Sequence, residues 1–241
     1  ELEQPRRLAA WRAQVQIGNP HGAPLQTRRC CGRHVAQVGW QVMGPAPVRW
    51  INMPAINRVA PQPSEFQNPD WYHPKGRVGP PPGGNWPRDH VLLADFRGGL
   101  KDLATERQDV RDALARVFGD WVKAVDIDGF RIDTLKHVEY EFWTDFCPKI
   151  RRTAAAKGKQ NFFMFGEAYD GDDQLVGSYT QRDMVDSAFY FPQKYVAVDG
   201  VIKNNAPTSE IEALYGRKQF YGQAPQPGGV GVAPAHMLVN F

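Results

Sequence analysis

Two carboxylates follow consecutive predicted strands and have the chemistry needed to cleave a glycosidic bond. Asp133 ends the segment 126–133, and Glu167 ends the apolar run 161–167. Functional groups in parallel α/β architectures gather at the carboxyl ends of the strands. We therefore expect both side chains at one face, with their carboxyl groups within roughly 5–7 Å. In such a pair one carboxylate attacks the anomeric carbon, while the other supplies and recovers a proton.

The residues around the two carboxylates indicate which of them takes which role. Strand alternation puts Arg131 on the same face as Asp133, where its fixed positive charge would keep Asp133 ionised as a nucleophile. The five residues before Glu167 are all apolar or Gly, a setting that raises a carboxyl pKa and suits a general acid/base. Spacing alone leaves an alternative open, in which Asp133 and Arg131 form a structural ion pair and Glu167 caps a helix.

Alternating helical and strand patterns must position these carboxylates. Thr105 and Gln108 read as a capping box before a helix with an apolar face, and segment 126–133 then alternates as a strand. A second helical pattern surrounds Pro148, which is expected to kink or divide it. Further strands are expected near 184–190 and 236–241, and a further helix near 209–215. This rhythm predicts crossover units and a parallel sheet.

The first 60 residues differ in composition from the rest of the chain. They hold eight Arg against only Glu1 and Glu3, and all 13 Phe and 8 Tyr lie beyond them. Three interpretations stay open: a basic arm that binds an acidic partner, a poorly ordered segment, or an out-of-frame translation of a GC-rich gene. On the last two interpretations, this stretch should add little regular structure beside the strand that ends at Asp133.

Whole-chain composition is ordinary for a soluble globular protein. The 241 residues are 42% hydrophobic and carry a formal net charge of +3, which does not call for nucleic acid or membrane. No apolar run reaches the length of a spanning helix. Cys30, Cys31 and Cys147 form no metal-binding spacing.

Four short motifs occur in a fixed order along this α/β rhythm. They are Leu100-Lys101-Asp102-Leu103, Asp128-Gly129-Phe130-Arg131-Ile132-Asp133-Thr134-Leu135-Lys136-His137, Phe165-Gly166-Glu167-Ala168 and Met237-Leu238-Val239-Asn240-Phe241. The first is similar to the short region that closes the small second domain in the α-amylase family of glycoside hydrolases. The others resemble that family's second and third signature regions and the start of its fourth. The resemblance covers roughly residues 64–241.

The resemblance implies a (β/α)8 TIM-barrel fold, incomplete in this chain, with a loop-rich insertion before the fourth strand. On that basis we divide the chain into an unassigned, poorly ordered or non-native segment at 1–60, an insertion remnant at 61–104 and a partial catalytic barrel at 105–241. It further implies a secreted enzyme that acts on starch-like α-glucans.

The resemblance also implies roles for particular residues. Asp133 would be the nucleophile of a retaining hydrolysis, Glu167 the acid/base, and Arg131 the residue that orients Asp133. Lys136 and His137 would line the leaving-group subsites.

The resemblance further implies a Ca²⁺ site and raises the question of sugar stacking. The Asp102 carboxylate and the main-chain oxygen of His137 fall where two Ca²⁺ ligands would be, although two ligands do not complete a site. Trp71, Tyr72 and Trp86 either stack on sugar rings or, the favoured interpretation, fill the core of the insertion.

Departures from the family pattern bear on activity. No Asp precedes Asp70, so the family's first signature region is absent, and its third catalytic carboxylate would follow Phe241. We therefore expect a fragment whose starch hydrolysis does not exceed background. A transglycosylase of the same family and a non-catalytic glucan-binding protein are the alternatives. The missing carboxylate favours the second of these.

Overall fold

A five-stranded sheet organises the part of the chain that the computed structural model describes, residues 27–30, 33–38, 61–74, 88–95 and 101–236. The strand order is β1-β2-β3-β4-β5. β1 pairs antiparallel with β2, whereas β2 to β5 run parallel. The strands are β1 Thr27–Cys30, β2 Arg33–Val38, β3 Gly129–Ile132, β4 Phe163–Gly166 and β5 Ser187–Ala188.

Helices connect the parallel strands, as the alternating pattern predicted. They are α1 Arg88–Leu93, α2 Gln108–Ala124, α3 Tyr140–Ala155, α4 Asp173–Ser178, α5 Phe191–Gln193 and α6 Ser209–Gly216. A π-helix, Lys194–Lys203, continues directly from α5. Short 3₁₀ turns lie at Ser64–Gln67, Pro69–Trp71, Leu135–His137, Arg217–Phe220 and Pro234–His236. None of these helices is both long and apolar enough to cross a membrane.

The hydrophobic core lies between the sheet and the outer helices α2 and α3. Phe130 and Ile132 of β3 are almost completely buried, whereas Arg131 between them is partly exposed, so the predicted alternation is confirmed. Phe118 of α2 meets Phe130 edge-on at a ring-centroid distance of 5.9 Å, and it meets Phe146 of α3 at the same distance. Packing on one face of β3 thus leaves its other face for polar side chains.

Helix α3 runs unbroken through Pro148, so the expected division of this helix is wrong. The proline removes one backbone donor and disturbs the preceding turn. Fully buried side chains on both sides of it, including Phe146, Cys147 and Ile150, hold the two halves of α3 against the same core. Tertiary packing here outweighs the tendency of proline to interrupt a helix.

The predicted capping box at Thr105 is also wrong. Helix α2 begins at Gln108, and Arg107 occupies the N-cap position without a side-chain hydrogen bond. The Thr105 hydroxyl instead donates to the carboxylate of Glu139, the residue that precedes α3. A charged acceptor from a neighbouring element forms a stronger hydrogen bond than a backbone group and so takes the hydroxyl.

Residues 33–38 correct the prediction for the N-terminal stretch. β2 pairs beside β3, the strand that leads to Asp133, in a register that runs from Val35↔Gly129 to Val38↔Ile132. The expectation that residues 1–60 add little regular structure there is therefore wrong for β1 and β2. Pairing satisfies the backbone N–H and C=O groups that β3 would otherwise expose at an open edge. The remainder of 1–60 lies outside the described residues.

Two of the aromatic residues considered for sugar stacking lie in the core. Trp71 and Tyr72 are 6% and 3% exposed, and Trp71 packs edge-on against Phe66 at 5.2 Å. The Trp71 indole donates to Asp109, and the Tyr72 hydroxyl donates to the carbonyl of Phe66. The core interpretation is confirmed for both residues, whereas Trp86 lies outside the described residues.

Three further predictions fall partly or wholly on described segments. β5 lies inside the strand predicted near 184–190, and α6 matches the helix predicted near 209–215. At the predicted last strand, His236 ends a 3₁₀ turn, and residues 237–241 lie outside the described part of the chain.

Close strand packing makes Gly129→Ala a test of this sheet. An added Cβ would lie 2.1 Å from the carbonyl oxygen of Phe163, a backbone atom that cannot move without breaking the β3–β4 ladder. We expect the free energy of unfolding to fall by about 2–4 kcal/mol in urea denaturation. Gly216→Ala at the end of α6 is the matched control. Among the described residues, no atom outside the adjoining backbone lies within 4 Å of a Cβ added at Gly216. The stability of this variant should therefore stay equal or rise by about 0.5 kcal/mol.

Candidate active site

Asp133 and Glu167 directly follow the adjacent parallel strands β3 and β4. The strand hydrogen bonding continues past both strand ends. The amide of Glu167 donates to the carbonyl of Ile132, and the amide of Leu135 donates to the carbonyl of Glu167, each at 2.8 Å. Thr134 then turns the chain with a left-handed φ of 61°. The backbone thus fixes both carboxylates at one end of the sheet.

The small size of Gly166 lets the turn after Asp133 pack closely on β4. A Cβ at this position would lie 2.6 Å from Cγ of Leu135. Leu135 is fully buried and begins the 3₁₀ turn that carries Lys136 and His137. The close approach therefore sets where this turn stands relative to Glu167.

Arg131 bridges the two carboxylates. Its Nη1 donates to Oδ1 of Asp133, and its Nη2 donates to Oε2 of Glu167 at 3.1 Å. The guanidinium also lies over the ring of Phe189, 5.3 Å from the centroid. All three charged side chains are partly exposed, between 25% and 31%. The structure therefore brings the predicted pair together at one face, around one fixed cation that solvent can reach.

Opposing effects act on the proton affinity of Glu167. Burial is the main cause that raises its pKa above the ordinary value, and the negative charge of Asp133 raises it further. The positive charges of Arg131 and Lys136 oppose this shift without cancelling it. A carboxyl group with a raised pKa retains its proton to higher pH, as a general acid requires. Sequence reasoning expected this direction from the apolar residues before Glu167.

We expect the ¹³C NMR titration of the Glu167 carboxyl to have its midpoint above the ordinary glutamate value. Asp133→Asn should lower that midpoint, because it removes the neighbouring negative charge. Asp120→Asn is the control, since Asp120 lies exposed on α2 and pairs only with Lys123 in the described residues. An unshifted midpoint, or an equal response to both substitutions, would contradict this electrostatic coupling.

Lys136 and His137 lie near the carboxylate pair but are already engaged. The Lys136 ammonium donates to the carbonyl of Tyr169 at 2.5 Å and to the carboxylate of Asp170 at 3.1 Å. The His137 Nδ1 lies 2.9 Å from the carbonyl of Val91 and must carry the proton, because a carbonyl can only accept. Burial lowers the His137 pKa to about 4, so its ring is neutral near pH 7.

Asp102, the predicted metal ligand, contacts a histidine that the sequence analysis did not single out. Its Oδ2 lies 2.6 Å from Nδ1 of His73, and its amide donates to Asp95. Burial raises the Asp102 pKa to about 7. Burial lowers the His73 pKa, but the hydrogen bonds and charges of Asp102 and Glu106 raise it to about 9.

The described residues do not by themselves complete the Ca²⁺ site that the resemblance implied. Ca²⁺ takes six to eight oxygen ligands. Within residues 61–74, 88–95 and 101–236, no group of three or more His, Cys, Asp or Glu side chains is placed to hold a metal ion. The Asp102 carboxylate is occupied by His73. Calcium binding through Asp102 and His137 therefore remains a prediction.

The remaining site features pair residues that are distant in sequence. Phe189 under Arg131 and Asp170 beside Lys136 carry no motif of their own, and each partner lies more than 30 positions away. Two regular strand ends, by contrast, could be located from local periodicity. This difference explains why the sequence indicated the carboxylates but not their surroundings.

Comparison with known proteins places this arrangement in a family. Residues 61–221 match the family described as alpha amylase, catalytic domain. The chain belongs to the α-amylase family of glycoside hydrolases. Both Asp133 and Glu167, with Arg131, fall inside the matched region of this α-amylase family member.

Individual relatives agree with the family assignment. Over 144 residues, 60% of this chain, the sequence is 37% identical to an alpha-amylase of Streptomyces lividans. Over 130 residues, 54% of this chain, it is 35% identical to an uncharacterised glycosyl hydrolase of Schizosaccharomyces pombe. The matched parts cover only 15% and 24% of those two proteins.

The fold agrees with that of solved α-amylases. The alpha-amylase from Geobacillus thermoleovorans, solved in complex with acarbose, aligns with a TM-score of 0.52 and 26% sequence identity. The alignment covers 63% of this chain and 32% of that structure. The parallel strands β3, β4 and β5, which lie inside the matched region, are thus consistent with part of an α-amylase-type TIM barrel.

Proposed function

We propose that this chain carries the catalytic carboxylates of a retaining hydrolase of α-1,4-glucosidic bonds in starch-like glucans. The observation that carries the proposal is the bridge from Arg131 to both Asp133 and Glu167 at the ends of adjacent parallel strands. A solvent-accessible carboxylate pair with one raised pKa is the minimal equipment for this reaction. Membership of the α-amylase family supports the same substrate class.

The first step forms a covalent glycosyl-enzyme. Asp133, whose negative charge is stabilised by Arg131, attacks the anomeric carbon. Glu167 donates its proton to the glycosidic oxygen as the carbon–oxygen bond breaks, so the leaving sugar departs as a neutral alcohol. Asp133 loses its negative charge as its carboxylate becomes the ester, and Glu167 becomes negatively charged as its proton passes to the departing oxygen.

The second step reverses these roles with water as the nucleophile. Glu167, now ionised, takes a proton from water as the water oxygen attacks the anomeric carbon. The ester bond to Asp133 breaks, and both carboxyl groups return to their starting states. Two inversions at the anomeric carbon give a product that keeps the α configuration. The resemblance to the α-amylase family extends this proposal to an extracellular role.

Trapping the glycosyl-enzyme tests the proposal directly. An activated fluorinated glucosyl donor should react once and leave a sugar adduct on the peptide that contains Asp133, identified by mass spectrometry. Proton NMR of the first product from maltoheptaose should show the α anomer. A first-formed β anomer, or an adduct on another carboxylate, would overturn the assignment. The assay should include a version of the chain extended past Phe241 through the family's fourth signature region.

A further inference from the structure

Phe189 takes the third place in the row of residues that contains the two carboxylates. The strands β3, β4 and β5 end in register, and Asp133, Glu167 and Phe189 are the residues that directly follow them. The amide of Phe189 donates to the carbonyl of Gly166 at 2.9 Å, which continues the β4–β5 ladder past the end of β5. The backbone therefore fixes Phe189 at the same end of the sheet as the carboxylate pair.

The side chain of Arg131 contacts all three members of this row. Nη1 donates to Asp133, Nη2 donates to Glu167 at 3.1 Å, and the guanidinium carbon lies over the Phe189 ring, 5.3 Å from its centroid. The face of an aromatic ring carries partial negative charge and attracts a cation within about 6 Å. The Phe189 ring thus takes the place of water against one face of the guanidinium.

Neighbouring aromatic rings hold the Phe189 ring in its orientation. Phe165 meets it edge-on at a centroid distance of 5.3 Å, and Phe191 lies 6.2 Å from it at an interplanar angle of 69°. Phe163 in turn stacks on Phe165 at 5.1 Å. The Phe189 ring is only 9% exposed, so it presents a fixed surface to the cation above it.

The bridge between the carboxylates depends on the orientation of the guanidinium. Two nitrogens of one rigid planar group donate to two different acceptors, so the plane of Arg131 must stay in one position for both contacts to persist. The strand fixes only the backbone of Arg131, whose flexible side chain is 25% exposed to competing water. A ring held against the guanidinium restricts its rotation and its hydration.

We infer that Phe189 is a positioning residue, whose ring face holds the Arg131 guanidinium in the orientation that contacts Asp133 and Glu167 together. Its effect on turnover rests on the proposed function, whereas the contact with Arg131 is a property of the folded chain. A ring that only fills space beside β5 is the competing interpretation. The two differ physically, because positioning requires the negative ring face, whereas space filling requires only the volume of the ring.

Ring fluorination at Phe189 separates these interpretations without an assay of activity. A trifluorinated phenylalanine keeps nearly the same shape but withdraws electron density from the ring face. In ¹⁵N-edited NMR of the full 241-residue chain, it should speed exchange of the Arg131 guanidinium protons with water by about fivefold. Phe189→Leu removes the ring and should speed this exchange by about tenfold or more. The same fluorinated residue at Phe163, whose ring stacks on Phe165, is the matched control and should leave the exchange within about twofold.

Equal Arg131 exchange in the unsubstituted and the Phe189-fluorinated chains would overturn the inference, because the ring would then act through its volume alone. An equal increase on fluorination of Phe163 would overturn it as well. Since the fluorinated ring keeps its shape, the test stands even where Phe189→Leu destabilises the fold.

Kinetics with maltoheptaose, on the chain extended past Phe241, test what the contact does for turnover. Fluorination of Phe189 should lower kcat by about fivefold with KM within about twofold, because the reacting groups rather than sugar affinity depend on Arg131. A rise in KM of about tenfold with unchanged kcat would overturn the inference in favour of direct sugar binding by Phe189. If the unsubstituted extended chain fails to hydrolyse maltoheptaose, the proposed function fails, and the exchange measurement still decides the contact between Phe189 and Arg131.

Discussion

Replacing Asp133 with Asn should lower the hydrolysis of maltoheptaose by at least about 10⁴-fold, because the substitution keeps the shape of the side chain but removes the nucleophile. The amide cannot form the glycosyl-enzyme, so neither a better leaving group nor an added nucleophile should restore turnover. The contact with Arg131 also loses its charge. The measurement is reducing-sugar release by the chain extended past Phe241, with the unsubstituted extended chain as reference.

Glu167→Gln provides the matched comparison, since it keeps the same shape and removes a transferable proton instead. Natural glucans have poor leaving groups, so Glu167→Gln should hydrolyse them about 10²- to 10⁴-fold more slowly than the unsubstituted protein does. An aryl glycoside with an activated leaving group needs little protonation, so its first step should be largely preserved. The intermediate on Asp133 should then accumulate, because no base remains to activate water.

Added azide should separate the two variants further. Azide attacks the anomeric carbon without a general base, so it should release the intermediate in Glu167→Gln and give a glycosyl azide that keeps the α configuration. The same addition should do nothing for Asp133→Asn. An α-configured glycosyl azide formed equally by both variants, or by Asp133→Asn alone, would mean that the two roles are assigned the wrong way round.

The carboxylate pair could be predicted because it depends on local periodicity. Phe130 and Ile132 alternate with Arg131 within a few residues, and the apolar run before Glu167 is continuous. Parallel pairing of β3 with β4 then puts Arg131 beside Phe165 in the register, with both carboxylates one residue past their strands. Because the geometry of paired parallel strands is regular, the positions of the two carboxylates in the sequence were enough to predict that they lie at the same end of the sheet.

The surroundings of the pair could not be predicted because they depend on competition between distant groups. Thr105 had a local partner available and took Glu139 instead, 34 positions away. Asp102 fitted a metal role by resemblance, yet it contacts His73, 29 positions earlier. Neither hydrogen-bond partner follows from the secondary-structure propensity of the local sequence. In each case the fold decides which charged group lies nearest to the side chain.

The prediction for the N-terminal stretch, residues 1–60, was wrong for a different reason. Its composition predicted an absence of regular structure, but a parallel strand such as β3 needs a partner at each edge more than it needs a particular sequence. Residues 33–38 supply the backbone groups that this edge requires. Backbone hydrogen bonding is common to all residues except proline, so composition alone does not exclude a strand.

The largest effect on stability is expected from Asp186→Asn, a substitution outside the proposed carboxylate pair. Asp186 is fully buried and accepts from Arg151 at 3.0 Å, from the amide of Met164 at 2.8 Å and from the amide of Val230 at 3.3 Å. It therefore joins α3, β4 and the segment around Val230. Burial raises the Asp186 pKa, and the charge of Arg151 is the main effect that opposes this shift.

Asp186→Asn should lower the free energy of unfolding by about 3–5 kcal/mol, because it leaves the Arg151 charge buried without a counter-ion. Arg151 is 4% exposed. Its Nη2 also donates to the carbonyl of Met184 at 2.7 Å, but its Nε and Nη1 have no hydrogen-bond partner among the described residues, and a neutral carbonyl does not replace the Asp186 charge. Adding Arg151→Met to the variant should recover part of the loss by removing the unpaired charge. Urea denaturation of the full chain measures all three proteins, with the exposed Asp120→Asn as a control expected to stay within about 0.5 kcal/mol. A loss below about 1 kcal/mol for Asp186→Asn would mean that water or a rearranged side chain neutralises Arg151 and that this buried pair does not hold the barrel strands together.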